Sequence, residues 1–159
     1  MEEVQTSQML DAILARRTVR QFSPEPLDEE TIAKVLQMAM YAPTRLGKRP
    51  WHFVVIRDQE IIQRLRTSLK VNEGHGKAPV LVAVLAKSNE GYPRQWDLDA
   101  AAATQNLLLA APTMGLGSSW VANPTTSAWA GACAWLCDLL GAPTNLALVS
   151  LVALGYAAE

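Results

Sequence analysis

The sequence predicts an α+β fold, a sheet packed against helices, and three observations lead there. Stretches with apolar residues at helical spacing alternate with short runs of β-branched and aromatic residues. Half of the 159 residues are hydrophobic and only 18% are charged, which fills a core and leaves apolar surface for another subunit. No repeat, linker or low-complexity tract divides the chain, so residues 1–159 read as one domain.

Each element has a local reason. Thr6 or Ser7 caps a first helix that carries Met9, Leu10, Ile13 and Leu14 on one face. Asp28 caps a second, with Leu27 and Ile32 spaced as a hydrophobic staple, Ile32, Val35, Leu36 and Ala39 inward, and Pro43 as its stop. A loop over 44–50 leads into the strand 51–56. Asp58 starts a third helix with Ile61, Ile62, Leu65 and Leu69 inward, and a Gly-containing loop covers 72–77. The run 79–85 is almost wholly apolar, a strand covered on both faces. A helix over 97–111 is apolar nearly all round, which requires a central or shared position, and Pro112 should kink or end it. Gly115-Leu116-Gly117 turns into a strand at 118–122; a helix over 126–140 and a strand over 146–154 follow.

Bulk properties exclude several classes. A net charge of -1 gives no long-range attraction to nucleic acid or to an anionic membrane. The apolar stretches are broken or too short to span a bilayer, and nothing at the N-terminus reads as a signal peptide. Cys133 and Cys137 stand four apart in a helix, where Cβ atoms are about 5–6 Å apart, against roughly 3.5–4.5 Å in a disulfide. Both read as reduced thiols of a cytoplasmic protein. His52 and His75 show no metal-ligand spacing, and no metal is expected.

The most concentrated chemistry lies in Arg16-Arg17-Thr18-Val19-Arg20. Three guanidinium groups this close need either water or a bound anion, and their planar forks suit phosphate oxygens. A second cationic segment, Thr44-Arg45-Leu46-Gly47-Lys48-Arg49, follows Pro43. With Gly115-Leu116-Gly117-Ser118 and Leu154-Gly155-Tyr156, these segments resemble the signatures of the nitroreductase family of flavoproteins. The likeness runs over nearly the whole chain. The arginine run is similar to the family's Arg-Arg-Ser-x-Arg, and residues 42–51 to its Ala-Pro-Ser-x-x-Asn-x-Gln-Pro-Trp.

That resemblance implies a mixed sheet flanked by helices, an intertwined homodimer, and one FMN at each of two subunit interfaces. It implies ping-pong transfer: hydride from NADH or NADPH to the flavin, then to a nitroaromatic, quinone or similar acceptor. Arg16 and Thr18 would take the phosphate, Arg17 the ribityl hydroxyls and Arg20 the N1–C2=O edge, where a fixed charge raises the flavin's potential. Pro43, Thr44, Arg45, Gly47 and Arg49 would reach in from the other subunit. Asn72, Ser118, Trp120 and Val121 complete the expected cofactor contacts. Hydride transfer at N5 names no side-chain acid or base.

Gly47 and Arg49 depart from the family's asparagine and glutamine, and the chain ends three residues after Tyr156, without the basic tail of longer members. Losing one charge-assisted hydrogen bond costs about 1.5–3 kcal/mol, so weaker FMN binding is expected; Arg45, Lys48 and Arg49 are candidates to compensate. Residue by residue, plainer readings stay open. The arginine run suits a solvated helix end, 44–49 and Asn72 plain turns, and Gly115 and Gly117 a helix stop. For the whole chain, a non-catalytic flavin carrier or sensor and a flavin-free structural dimer are the other readings.

Overall fold

The computed structural model describes residues 2–71, 77–88 and 95–158, with side chains from residue 9 onward. The elements, in order, are α1 (Glu2–Ala15), α2 (Glu29–Met40), a 3-10 turn (Arg45–Gly47), β1 (Trp51–Ile56), α3 (Gln59–Leu69), β2 (Val80–Lys87), α4 (Gln95–Thr113), β3 (Gly117–Val121), α5 (Ser127–Leu139) and β4 (Leu146–Gly155).

Asp28 and Asp58 cap as the sequence predicts, and Thr126 caps α5 in the same way. Asp28 Oδ1 accepts the Thr31 N–H at 2.7 Å, Asp58 Oδ1 accepts the Glu60 N–H at 2.8 Å, and Thr126 Oγ1 accepts the Trp129 N–H at 3.2 Å. Each removes an orphan donor from a first turn. Helix α4 runs one residue past Pro112, and Gly115, at φ +72°, then reverses the chain into β3.

Among the described residues the sheet has the order β1-β2-β4-β3, with every ladder antiparallel. The parallel component is one bridge, Thr18 with Ser118. Strand β2 is buried on both faces. Its Leu81, Ala83 and Leu85 pack with Ile62, Leu65, Trp129 and Leu136 of α3 and α5. Its Val80, Val82, Val84 and Ala86 pack with Ile32, Val35, Leu107 and Leu108 of α2 and α4. The result is three layers, with the sheet between two pairs of helices. Within the second core the Thr104 hydroxyl donates to Ala100 O and pairs with the Ser150 hydroxyl at 2.8 Å, so its buried polar atoms are satisfied.

Helix α1 differs from expectation. It begins at Glu2, ahead of Thr6 and Ser7, and its apolar residues do not enter the core: Met9, Leu10, Ile13 and Leu14 are 52–69% exposed. The helix packs mainly along α4, and among the described residues these side chains stay exposed.

Candidate functional site

Beyond α1 the backbone leaves the helix and becomes an extended strip along the end of the sheet. The Val19 N–H donates to Ser118 O at 2.9 Å, the Ser23 N–H to Tyr156 O at 2.9 Å, and the Ala158 N–H to Gln21 O at 3.0 Å. The strip therefore spans the start of β3 and the end of β4. Two glycines make the approach possible. Gly117 and Gly155 face each other across the β3–β4 ladder. A Cβ on Gly117 would lie 2.8 Å from Val19 side-chain atoms, and one on Gly155 would lie 2.6 Å from Pro79 Cδ and 3.0 Å from Phe22 Cδ1. Both positions exclude a side chain by contact with the strip or with Pro79, which is why the Gly-Leu-Gly-Ser and Leu-Gly-Tyr segments sit where the arginines are.

The guanidinium groups have different settings. Arg17 Nη1 donates to Leu14 O and Arg16 O, so this side chain closes the carbonyl end of α1. Arg16 is half-buried and Arg20 exposed, and neither guanidinium makes a hydrogen bond or ion pair among the described residues. Thr18 is exposed beside them. Ser118 is 3% exposed and lies beneath the strip; its neighbours on β3 differ, Trp120 being 38% exposed and Val121 half-buried.

The second cationic segment is built differently. Thr44 accepts the Gly47 N–H through its carbonyl and the Arg49 N–H through its hydroxyl, each at 3.3 Å, closing a compact turn. Within it Leu46 (φ +51°), Gly47 (φ +67°) and Arg49 (φ +47°) are left-handed, a conformation that costs a non-glycine residue roughly 1–2 kcal/mol. Gly47 has open space around its missing Cβ. The position keeps the backbone shape that asparagine also tolerates and drops only the amide. Arg45 turns back on its own chain: its Nη1 donates to Gln95 Oε1 at 2.6 Å and its N–H lies 3.3 Å from both Asp99 carboxylate oxygens. Lys48 and Arg49 are exposed, as are Pro43 and Leu46.

The structure thus brings Arg16, Arg17, Thr18 and Arg20 together with Ser118 and the end of β4, and leaves Pro43–Arg49 elsewhere. Trp51 pairs with Ala86 and Lys87 with Leu146, whereas Val80 pairs with Leu154. The loop and the strip therefore lie at opposite ends of β2, seven steps of about 3.3 Å or roughly 23 Å apart. Asn72 and His75 lie outside the described residues. The Arg45–Gln95–Asp99 tether was not foreseen, because Gln95 and Asp99 look like ordinary first-turn residues of α4.

The sequence profile of the nitroreductase family matches residues 13–72 and 68–156, and the strip, turn and glycine-lined strand end all fall inside those spans. The chain belongs to the nitroreductase family. A protein of Archaeoglobus fulgidus provisionally named NADH dehydrogenase/NAD(P)H nitroreductase is 36% identical over 92% of this chain and 84% of its own. An FMN-dependent nitroreductase of Clostridium difficile superposes with a TM-score of 0.83 at 25% identity, over 94% of this chain and 88% of the other. A nitroreductase of Bacteroides fragilis solved with bound FMN gives 0.78 at 27% identity, over 95% and 89%. The family membership agrees with the expected α+β architecture.

Proposed function

We propose that this nitroreductase is an FMN-dependent oxidoreductase that takes hydride from NADH or NADPH and delivers it to a nitroaromatic, quinone or similar acceptor. Residues 1–159 would act as one domain, paired as a homodimer in the cytoplasm. Among the described residues no helix is long and apolar enough to cross a membrane.

The observation that carries this reading is the division of the site. Among the described residues the strip's Arg16 and Arg20 guanidiniums and Thr18 hydroxyl have no partner, a donor set that fits a phosphate and an electron-rich ring edge. The second cationic segment lies at the far end of the same sheet, so one chain holds only half of the donors. A second copy supplies the other half. Its natural seam is apolar: Met9, Leu10, Ile13, Leu14 and Leu98 are more than half exposed on α1 and α4.

Within that seam Arg16 and Thr18 hold the phosphate, and Arg20 sets a fixed positive charge beside the pyrimidine edge. From the partner copy the turn at Pro43, Thr44, Gly47 and Arg49 closes over the opposite side and excludes water. Trp120 and Val121 line the floor beside Ser118. Bound FMN would supply two-electron hydride chemistry, accepted from the nicotinamide and passed on in a second half-reaction. No side chain needs to move a proton at the reacting atom.

The test is the visible absorbance spectrum of the protein after FMN addition, read before and after anaerobic NADPH or NADH and then a quinone. Flavin bands that bleach with either donor and return with the quinone support the reading. A protein that FMN cannot colour, or whose bound flavin neither donor bleaches, overturns it.

A further inference from the structure

Cys133 and Cys137 carry chemistry that the proposed oxidoreductase leaves unused. Both stand on α5, one turn apart, where the helix crosses the start of β4. Trp129 seats that turn by donating its Nε1–H to Leu148 O at 2.8 Å. The Cys133 sulfur accepts the Leu148 N–H at 3.2 Å and lies 3.7 Å from Leu146 O; the Cys137 sulfur lies 4.0 Å from the same carbonyl. Both sulfurs thus face the same stretch of strand, Leu146–Leu148. Both line a cavity of about 590 Å³ whose walls include Trp96, Trp129, Ala134 and Leu148. None of the residues assigned above to the flavin lines it.

Three chemistries suit a pair of thiols, and the setting separates them. A direct disulfide needs Cβ atoms closer than one helical turn allows, roughly 3.5–4.5 Å against about 5–6 Å. A soft metal cation needs two thiolates, yet burial first, and then the neighbouring Cys133, push the Cys137 thiol up to about 11. An electrophile that bridges the sulfurs through one atom, accepts neutral thiols and leaves no charge meets neither obstacle.

We propose that Cys133 and Cys137 form a dithiol site for trivalent organoarsenicals, with the organic substituent occupying the cavity that Trp96 and Trp129 line. An arsonous acid R–As(OH)2 forms two As–S bonds and loses two As–O bonds. Each thiol proton leaves with a hydroxyl as water, arsenic stays trivalent, and nothing is oxidised or reduced. The product is uncharged, which suits an apolar wall.

The probe is phenylarsine oxide added to the full-length protein, with native mass spectrometry and thiol titration as readouts. One arsenical per chain is expected, bound with loss of one water, protecting both thiols from a disulfide reagent. The adduct should survive excess glutathione and be removed by a small 1,2-dithiol. Cys133→Ser and Cys137→Ser each break the chelate, so binding should weaken roughly a hundredfold or more. Trp96→Ala should weaken phenylarsine oxide but not inorganic arsenite. No adduct, two arsenicals per chain, or an unweakened single-serine variant would overturn the proposal. So would silver ion outcompeting the arsenical at equal concentration. The wild-type stoichiometry decides the matter even where a serine variant fails to fold, and none of these readouts depends on FMN.

Discussion

The strip from Arg16 to Ser23 and the turn from Pro43 to Pro50 each carry three cationic side chains, and the chain holds them by opposite means. Sheet-like backbone bonds pin the strip against a strand end whose glycines admit it. Internal bonds fold the turn on itself, with left-handed backbone at Leu46, Gly47 and Arg49. In each, one arginine secures the segment from within: Arg17 on the carbonyls of α1, Arg45 on Gln95 of α4. In each, two cations are left over, Arg16 with Arg20 and Lys48 with Arg49. The difference is mechanical. The strip moves only if the sheet edge moves, whereas the turn is tied to α4 through Arg45, by its guanidinium to Gln95 and its N–H to Asp99, and stores strain, as ligand-closing segments do.

Substitutions at the two segments should break this contrast in graded steps. The largest effect is expected from Gly117→Val, whose side chain must displace Val19. Overpacking of this kind costs about 1–3 kcal/mol, and urea unfolding should show it together with loss of FMN binding. Arg16→Ala removes a guanidinium that has no partner among the described residues, so FMN affinity should fall about tenfold to a hundredfold, with an unchanged melting temperature. Arg45→Ala removes the Gln95 bond and loosens the turn, leaving the backbone bond to Asp99: about 1 kcal/mol of stability and a smaller, severalfold loss of FMN affinity are expected from the same two measurements. The mildest is Gly47→Asn. It should leave stability within about 0.5 kcal/mol and tighten FMN by restoring an amide, whereas Gly47→Ala should destabilise by roughly 1 kcal/mol at this left-handed position. Equal effects of asparagine and alanine would show that the backbone, not the amide, is what matters there.

Much of this was legible in the residues. Asp28 and Asp58 announce their helices because a cap is a local device, and the apolar run of β2 announces burial on both faces. The glycine pair was legible as a motif but not as a contact, since Gly117 is required by Val19, almost a hundred positions away. Left-handed Leu46 and Arg49 were not legible, because neither residue type prefers that conformation. The partners of Arg17 and Arg45 escaped for a similar reason: a guanidinium pattern states a charge, not where the long side chain folds. The apolar stripe of α1 was read from the sequence, yet nothing among the described residues buries it.

The claim that most depends on all of this is that two copies share each flavin site, strip from one and turn from the other. Complementation tests it most directly. An Arg16→Ala/Arg20→Ala chain and a Gly47→Val chain should each fail to retain FMN when prepared alone. Refolded together, the mixed dimers should regain one site with an intact strip and an intact turn, read as flavin absorbance at half the wild-type stoichiometry per mixed dimer. Mixed dimers that remain colourless while both parent chains fold would contradict it.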